Sequence, residues 1–212
     1  IYKSKLILEG GAILTDGCGT LIATEPSIMG AGRNSHLERS EVEKTLCHFL
    51  GVRKVIWLPR GAVNDETGGH VDNICAISEP GRVLLSWPVD DNSEEAIIAR
   101  EVHDILSSQM DAHGRSFEVV KVPEPSPLVI TKEEASTIVP RKHSLPRHPG
   151  DKVPASHVNF YISNRFVILP VFGGDTDDKA INIVGQCFPN REVIPIMSRE
   201  IAIGGGNIHC IT

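Results

Sequence analysis

The chain repeats one plan of elements three times, and that repetition confines it to folds built by stacking like units. The first copy contains LILEGGAILTDGCGTLIATE, where Asp16-Gly17 supplies a tight turn between two alternating strands. SEVEKTLCHFLG follows as a helix, with Ser40 at the N-cap, Glu43 completing a capping box, Val42, Leu46 and Phe49 on one face, and Gly51 as the stop. KVIWL then reads as a short buried strand. The second copy is HVDNICAISEPGRVLLSW, a hairpin turning at Glu79-Pro80-Gly81, then the helix SEEAIIAREVHDILSSQM with an apolar stripe of Ile98, Val102, Ile105 and Leu106, then the strand SFEVVKV. The third is HVNFYISNRFVILPVF, turning at Ser163-Asn164, with the helix TDDKAINIVGQCF and the strand REVIPI. GGGNIHCIT opens a fourth copy as a strand, while IYKSKLILEGG reads as entry partway through one. The expected fold is α/β, made of ββαβ repeats around an axis.

The proline-rich stretch from Pro123 to Pro154 does not follow the plan and is expected to be a long loop, either a lid or a connector. At 212 residues the chain has room for a substantial core, and we read 1–212 as a single domain with 123–154 as a loop within it. A net charge of -6 gives no basic footprint for nucleic acid or an anionic membrane and leaves room for a cationic substrate. No apolar run approaches the roughly 20 residues of a membrane span. Five cysteines without a CxxC pair suggest neither a disulfide framework nor a zinc site, so a reducing, cytoplasmic setting is expected.

The unusual polar residues recur at one place, the expected start of the inner strand of each copy. Glu9 precedes Gly10-Gly11, His70 and Asp72 follow Gly68-Gly69, His157 and Asn159 follow Ser156, and Asn207, His209 and Cys210 follow Gly204-Gly205-Gly206. In a radial array these positions converge. On a strand His70 and Asp72 share a face, whereas His209 and Cys210 point to opposite faces, which makes His70 the expected partner of the thiol. A lone cysteine is more often a small buried hydrophobe, and Cys18, Cys47, Cys75 and Cys187, lacking a constellation, are read that way. Glu9 would be costly to bury unpaired beside apolar neighbours, so it needs a dedicated partner. His157 and Asn159 could belong to the site or merely support it.

Taken together, EGGAILTDGCGT with GRN downstream, GHVDN, HVNFYI and GGGNIHCIT resemble the agmatine deiminase family, the Porphyromonas-type peptidyl-arginine deiminases of the guanidine-modifying (pentein) superfamily. The resemblance runs through nearly the whole chain. It implies a five-bladed α/β propeller, of which this chain would supply about three blades and the start of another, with a further N-terminal part and a short C-terminal part outside it. It also implies Cys210 as nucleophile, His70 as general acid and base, and Glu9 and Asp72 as the carboxylates that hold a guanidinium. Gly206 and Asn207 join Glu9 and Asp72 as substrate-binding positions. Gly68, His157 and Ser35 depart from the family's usual residues, but none removes a catalytic group.

The chemistry suits these residue types. A guanidinium carbon is a poor electrophile and calls for a thiolate, while paired carboxylates can take the N–H groups of its planar fork. One imidazole can protonate departing ammonia and then deprotonate the incoming water. The expected reaction is deimination of agmatine to N-carbamoylputrescine, a step in putrescine and polyamine synthesis, with no metal or other cofactor and with homo-oligomerisation left open. The alternatives are an arginine or peptidyl-arginine deiminase, an amidinotransferase, a cysteine peptidase using Cys210, His70 and Asp72, and a catalytically silent fragment.

Overall fold

A computed structural model describes residues 3–139, apart from 64 and 66, and residues 146–212. The first unit comprises β1 (Ile13–Thr15), β2 (Thr20–Thr24), the short helix α1 (Glu25–Met29), α2 (Arg39–Leu50) and β3 (Lys54–Leu58). The second comprises β4 (Cys75–Glu79), β5 (Arg82–Trp87), α3 (Glu94–Ser108) and β6 (Glu118–Pro123). After α4 (Lys132–Thr137) comes the third unit, β7 (Tyr161–Ile162), β8 (Phe166–Val171), α5 (Asp177–Cys187) and β9 (Glu192–Met197), followed by α6 (Arg199–Ile203). Each unit is a three-stranded mixed sheet: the first two strands form an antiparallel hairpin, and the long helix carries the chain back to a parallel third strand. This confirms the α/β class. Each sheet stays open, and the ring of five blades remains what the resemblance implies.

The alternation of the middle strands explains how the units stack. Leu21 and Ala23 of β2 pack with Val42 and Leu46 of their own helix α2, while Ile22, on the opposite face, joins Val83 and Leu85 of β5 and Ile98, Val102 and Leu106 of α3. Leu84 of β5 in turn faces Val167 and Leu169 of β8, Ala180 and Val184 of α5, and Phe188 just after it. Each of the first two sheets therefore lies between its own helix and elements of the next unit. At ~1.5–3 kcal/mol for each fully buried large apolar side chain, these shared layers bind neighbouring units together. Among the described residues no helix is long and apolar enough to cross a membrane.

Three local expectations need correction. The N-cap of helix α2 lies two residues earlier than Ser40: it is Glu38, whose backbone N–H donates to Glu41 in the capping box. Glu43, the partner expected for Ser40, instead accepts the Trp57 indole N–H at 2.6 Å. The polar segments ahead of the sheets are turns and not strands. Gly10–Ala12, Val71–Asn73 and His209–Ile211 are 3-10 turns, so the fourth copy opens with a turn and the two-residue parity argument does not apply.

The long 123–154 segment is braced. Thr131 and Glu134 form a capping box on α4, Val129 pairs with Lys152, and Ile130 and Val153 are buried with Phe172 and Ala202. Arg199 of α6 donates to both oxygens of Glu134, at 2.6 and 3.0 Å, and that pairing holds the Glu134 carboxyl down at about 2. The segment thereby supports the helix that leads into Cys210. Residues 140–145 of the expected loop lie outside the described residues.

Candidate active site

The turns that precede the sheets meet at one end of the array and bring Glu9, His70, Asp72, Asn159, His209 and Cys210 into one cluster. Glu9 begins the first turn in an extended conformation. Its Oε2 accepts from His70 Nε2 at 2.6 Å and from Arg33 Nε and Nη2 at 3.2 and 2.7 Å. Burial works to raise the Glu9 carboxyl, but the His70 and Arg33 hydrogen bonds outweigh it and hold it below its ordinary value. With a side chain 44% exposed, Glu9 is not the buried strand carboxylate that the sequence suggests, although it does have its dedicated partners. An ionised carboxylate only accepts, so His70 Nε2 carries the proton and Nδ1 is the nitrogen left to gain or lose one. Arg33, from the GRN motif, is further pinned by the Thr67 carbonyl at 2.5 Å.

Asp72 is 1% exposed. Its Oδ2 accepts from His209 Nδ1 at 2.9 Å and lies 3.6 Å from Cys210 Sγ, while its Oδ1 is buried with no hydrogen-bond partner among the described residues. A buried carboxylate oxygen without a donor is unfavourable on its own and suits an incoming N–H group. Burial first, and then the Asp72 charge, push the Cys210 thiol above its ordinary value; the Asn207 backbone and the Asn159 side chain oppose that rise.

Asn159, fully buried, is the hub of the cluster. Its Nδ2 lies 3.2 Å from the Asp72 carbonyl, 3.0 Å from Asn73 Oδ1 and 3.4 Å from Cys210 Sγ, and its Oδ1 accepts the His209 backbone N–H at 2.9 Å. The amide thus ties the second unit to the segment that carries the thiol. Asn207 is also buried and donates to Asn73 Oδ1 and the Pro154 carbonyl. His157 lies elsewhere, bridging the Pro123 carbonyl at the end of β6 at 2.7 Å and Asp177 at the start of α5 at 2.9 Å, and so links the second and third units. His209, set aside on strand parity, binds the carboxylate nearest the sulfur. Arg33, Asn73 and His209 are the neighbours that sequence reasoning missed; the GRN motif was the one available signal for Arg33.

Two glycines make this crowding feasible. A Cβ on Gly11 would stand 2.6 Å from both Asp72 Oδ2 and His70 Nδ1, and one on Gly206 would stand 3.0 Å from Cys210 Cβ. Gly11→Ala is therefore expected to displace the carboxylate and the imidazole together, lowering turnover by about 10²-fold while leaving the circular dichroism spectrum unchanged. Normal turnover in that variant would show that the two groups need not stand where they do.

Open ββαβ units that gather a thiol, an imidazole and two carboxylates at one end define an α/β repeat protein of the guanidine-modifying (pentein) fold. The backbone is similar to inosamine-phosphate amidinotransferase of Streptomyces griseus, with a TM-score of 0.53 at 17% identity over 98% of this chain and 46% of that one, a likeness of fold alone. The chain belongs to the Porphyromonas-type peptidyl-arginine deiminase family, whose model it matches over residues 1–212. It is 47% identical to the agmatine deiminase of Medicago truncatula, covering 100% of this chain and 57% of that protein. The structure of Enterococcus faecalis agmatine deiminase superimposes with a TM-score of 0.92 at 35% identity, covering 99% of this chain and 57% of that one. The chain therefore spans little more than half the length of these relatives.

Proposed function

We propose that this chain carries the catalytic cluster of an agmatine deiminase, which hydrolyses the guanidinium of agmatine to N-carbamoylputrescine and ammonia. The observation that supports this most is the buried Asp72 carboxylate, with Oδ1 lacking a donor and Oδ2 3.6 Å from Cys210 Sγ, a place for a cationic N–H fork against a thiol. The likeness to two agmatine deiminases favours agmatine over arginine as the substrate.

In the proposed reaction Asp72 and Glu9 take N–H groups of the guanidinium. With Oε2 of Glu9 already shared by His70 and Arg33, Oε1 is the oxygen without a partner among the described residues. The bound cation offsets the Asp72 charge that raises the thiol, so substrate itself promotes transfer of the Cys210 proton to His70 Nδ1, the proton that His70 then gives to the leaving nitrogen. The thiolate adds to the guanidinium carbon; the adduct then expels one nitrogen as ammonia, protonated from His70, and leaves an S-alkylthiouronium on Cys210. Water, deprotonated by His70, adds to the same carbon, and the C–S bond breaks to return the thiolate and release N-carbamoylputrescine. Gly206 and Asn207 set the approach of the backbone to the bound fork. Five free cysteines fit a reducing, cytoplasmic compartment, where the product would feed putrescine synthesis.

The test is ammonia release by the full chain from agmatine, with arginine and a peptidyl-arginine as comparators. A kcat/KM for agmatine at least about tenfold above both is expected. Preference for arginine or for the peptide would transfer the reading to that deiminase, and cleavage of a peptide bond would overturn the chemistry.

A further inference from the structure

A cavity of about 590 Å³ lies between the second and third units, at the carboxyl ends of the parallel strands β5 and β6. Its size is that of a small-molecule site, and the crevice beyond strand carboxyl ends is where open α/β sheets receive ligands. Both arms of the 123–154 segment, the first turns of α3 and the residues just ahead of α5 form the walls. Ile98, Ala99, Leu128 and Val153 give it an apolar side. Among the described residues its charged lining is Asp90, Glu95, Glu124 and Asp175 against one cation, Lys152, which is already paired with Glu95 at 3.1 Å. Thr176 Oγ1, buried and without a hydrogen-bond partner among the described residues, belongs to the same wall. Glu124 accepts from Ser86 Oγ at a long 3.3 Å, and burial, reinforced by the Glu95 charge, pushes its carboxyl up to about 7 against the opposing effects of Ser86 and Lys152.

We propose that this cavity is a second binding site, separate from the catalytic cluster, for a primary alkylammonium such as a short diamine, with Glu124 as its counter-ion and the Ile98–Val153 side taking the methylene chain. An anion would meet four carboxylates against one lysine among the described residues, and an uncharged ligand would leave the ionised form of the partly buried Glu124 without a nearby counter-ion beyond Lys152. None of Glu9, His70, Asp72 and Cys210 lines the cavity, so the site does not depend on the deiminase reading. Asn73 is common to both places: it lines the cavity, and its Oδ1 accepts from Asn159 and Asn207 beside the thiol.

The charge state of Glu124 gives the site a signature. From its ordinary value of 4.5 to about 7, the folded chain holds a proton that the unfolded chain has lost. Without a cation, stability from this group falls as pH rises across that window, and Glu124→Gln flattens the dependence. A bound ammonium reverses the preference and drives the proton off.

Isothermal titration of the full chain with 1,4-diaminobutane tests the proposal. Expected are one site outside the catalytic cluster, an affinity about tenfold higher at pH 8 than at pH 6, and proton release at pH 6 to 7 read from buffers of different ionisation enthalpy. Glu124→Gln should weaken binding at pH 8 by at least about tenfold and abolish the pH dependence, while Asp72→Asn leaves both unchanged. No binding to the unaltered chain, binding without proton release, or binding lost in Asp72→Asn but kept in Glu124→Gln would each overturn it. Should the Gln variant fail to fold, the proton release of the unaltered chain decides the matter.

Discussion

Cys210→Ser is expected to lower ammonia release from agmatine by at least about 10³-fold in the full chain, and Cys210→Ala to abolish it. A serine hydroxyl can occupy the same place, within reach of Asp72 and Asn159, yet near neutral pH it yields almost no alkoxide to attack a guanidinium carbon. The loss should fall on kcat, because the carboxylates proposed to hold the substrate are untouched. Rapid acid quench during turnover should trap a mass adduct of the amidine on Cys210 in the unaltered chain and none in the Ser variant. No other thiol is placed to substitute. Cys75 is fully buried and its thiol is pushed up to about 12, while Cys187 on α5 is raised by burial. Retained turnover in Cys210→Ala would end the covalent reading.

Local sequence signals carried the repeat plan well and the site less well, for reasons visible in particular residues. Asp16-Gly17 and Glu79-Pro80-Gly81 announced their hairpins because a tight turn is decided by two or three adjacent residues. The stripe on α3 announced a helix because 3.6-residue periodicity over fifteen residues is hard to mimic. GHVDN, by contrast, is too short to tell a strand from a 3-10 turn, so strand parity could not decide which side chains share a face there. The start of α2 was decided at a distance, since the Trp57 indole takes Glu43 and leaves Glu38 and Glu41 to cap the helix. The same limit left the role of Asn159 open, since its partners Asp72, Asn73 and Cys210 lie 87, 86 and 51 residues away along the chain. Which residues start each unit is legible; which of them touch is settled by the packing of one sheet against the next.

Asp72→Asn should move thiol reactivity and turnover in opposite directions. The Asp72 charge is one of the causes that hold the Cys210 thiol up, second to burial, and its Oδ2 lies 3.6 Å from the sulfur. Removing the charge lowers the thiol toward its ordinary value, so alkylation by iodoacetamide between pH 7 and 8 is expected to quicken, by up to about tenfold. Turnover of agmatine should nevertheless fall by at least about 10²-fold. Charge-assisted hydrogen bonds are worth ~1.5–3 kcal/mol each, and the amide replaces an acceptor for the cationic fork with a neutral group that can present N–H to N–H. The bond from His209 Nδ1 loses its charge assistance as well, which loosens the residue adjacent to the nucleophile. A purely structural Asp72 predicts otherwise: the variant would lose both reactivity and turnover as the cluster comes apart, or keep both. Measuring the alkylation rate against pH beside steady-state ammonia release separates these outcomes. Unchanged turnover with a faster-reacting thiol would leave Asp72 as a brake on Cys210 and remove it from the guanidinium site.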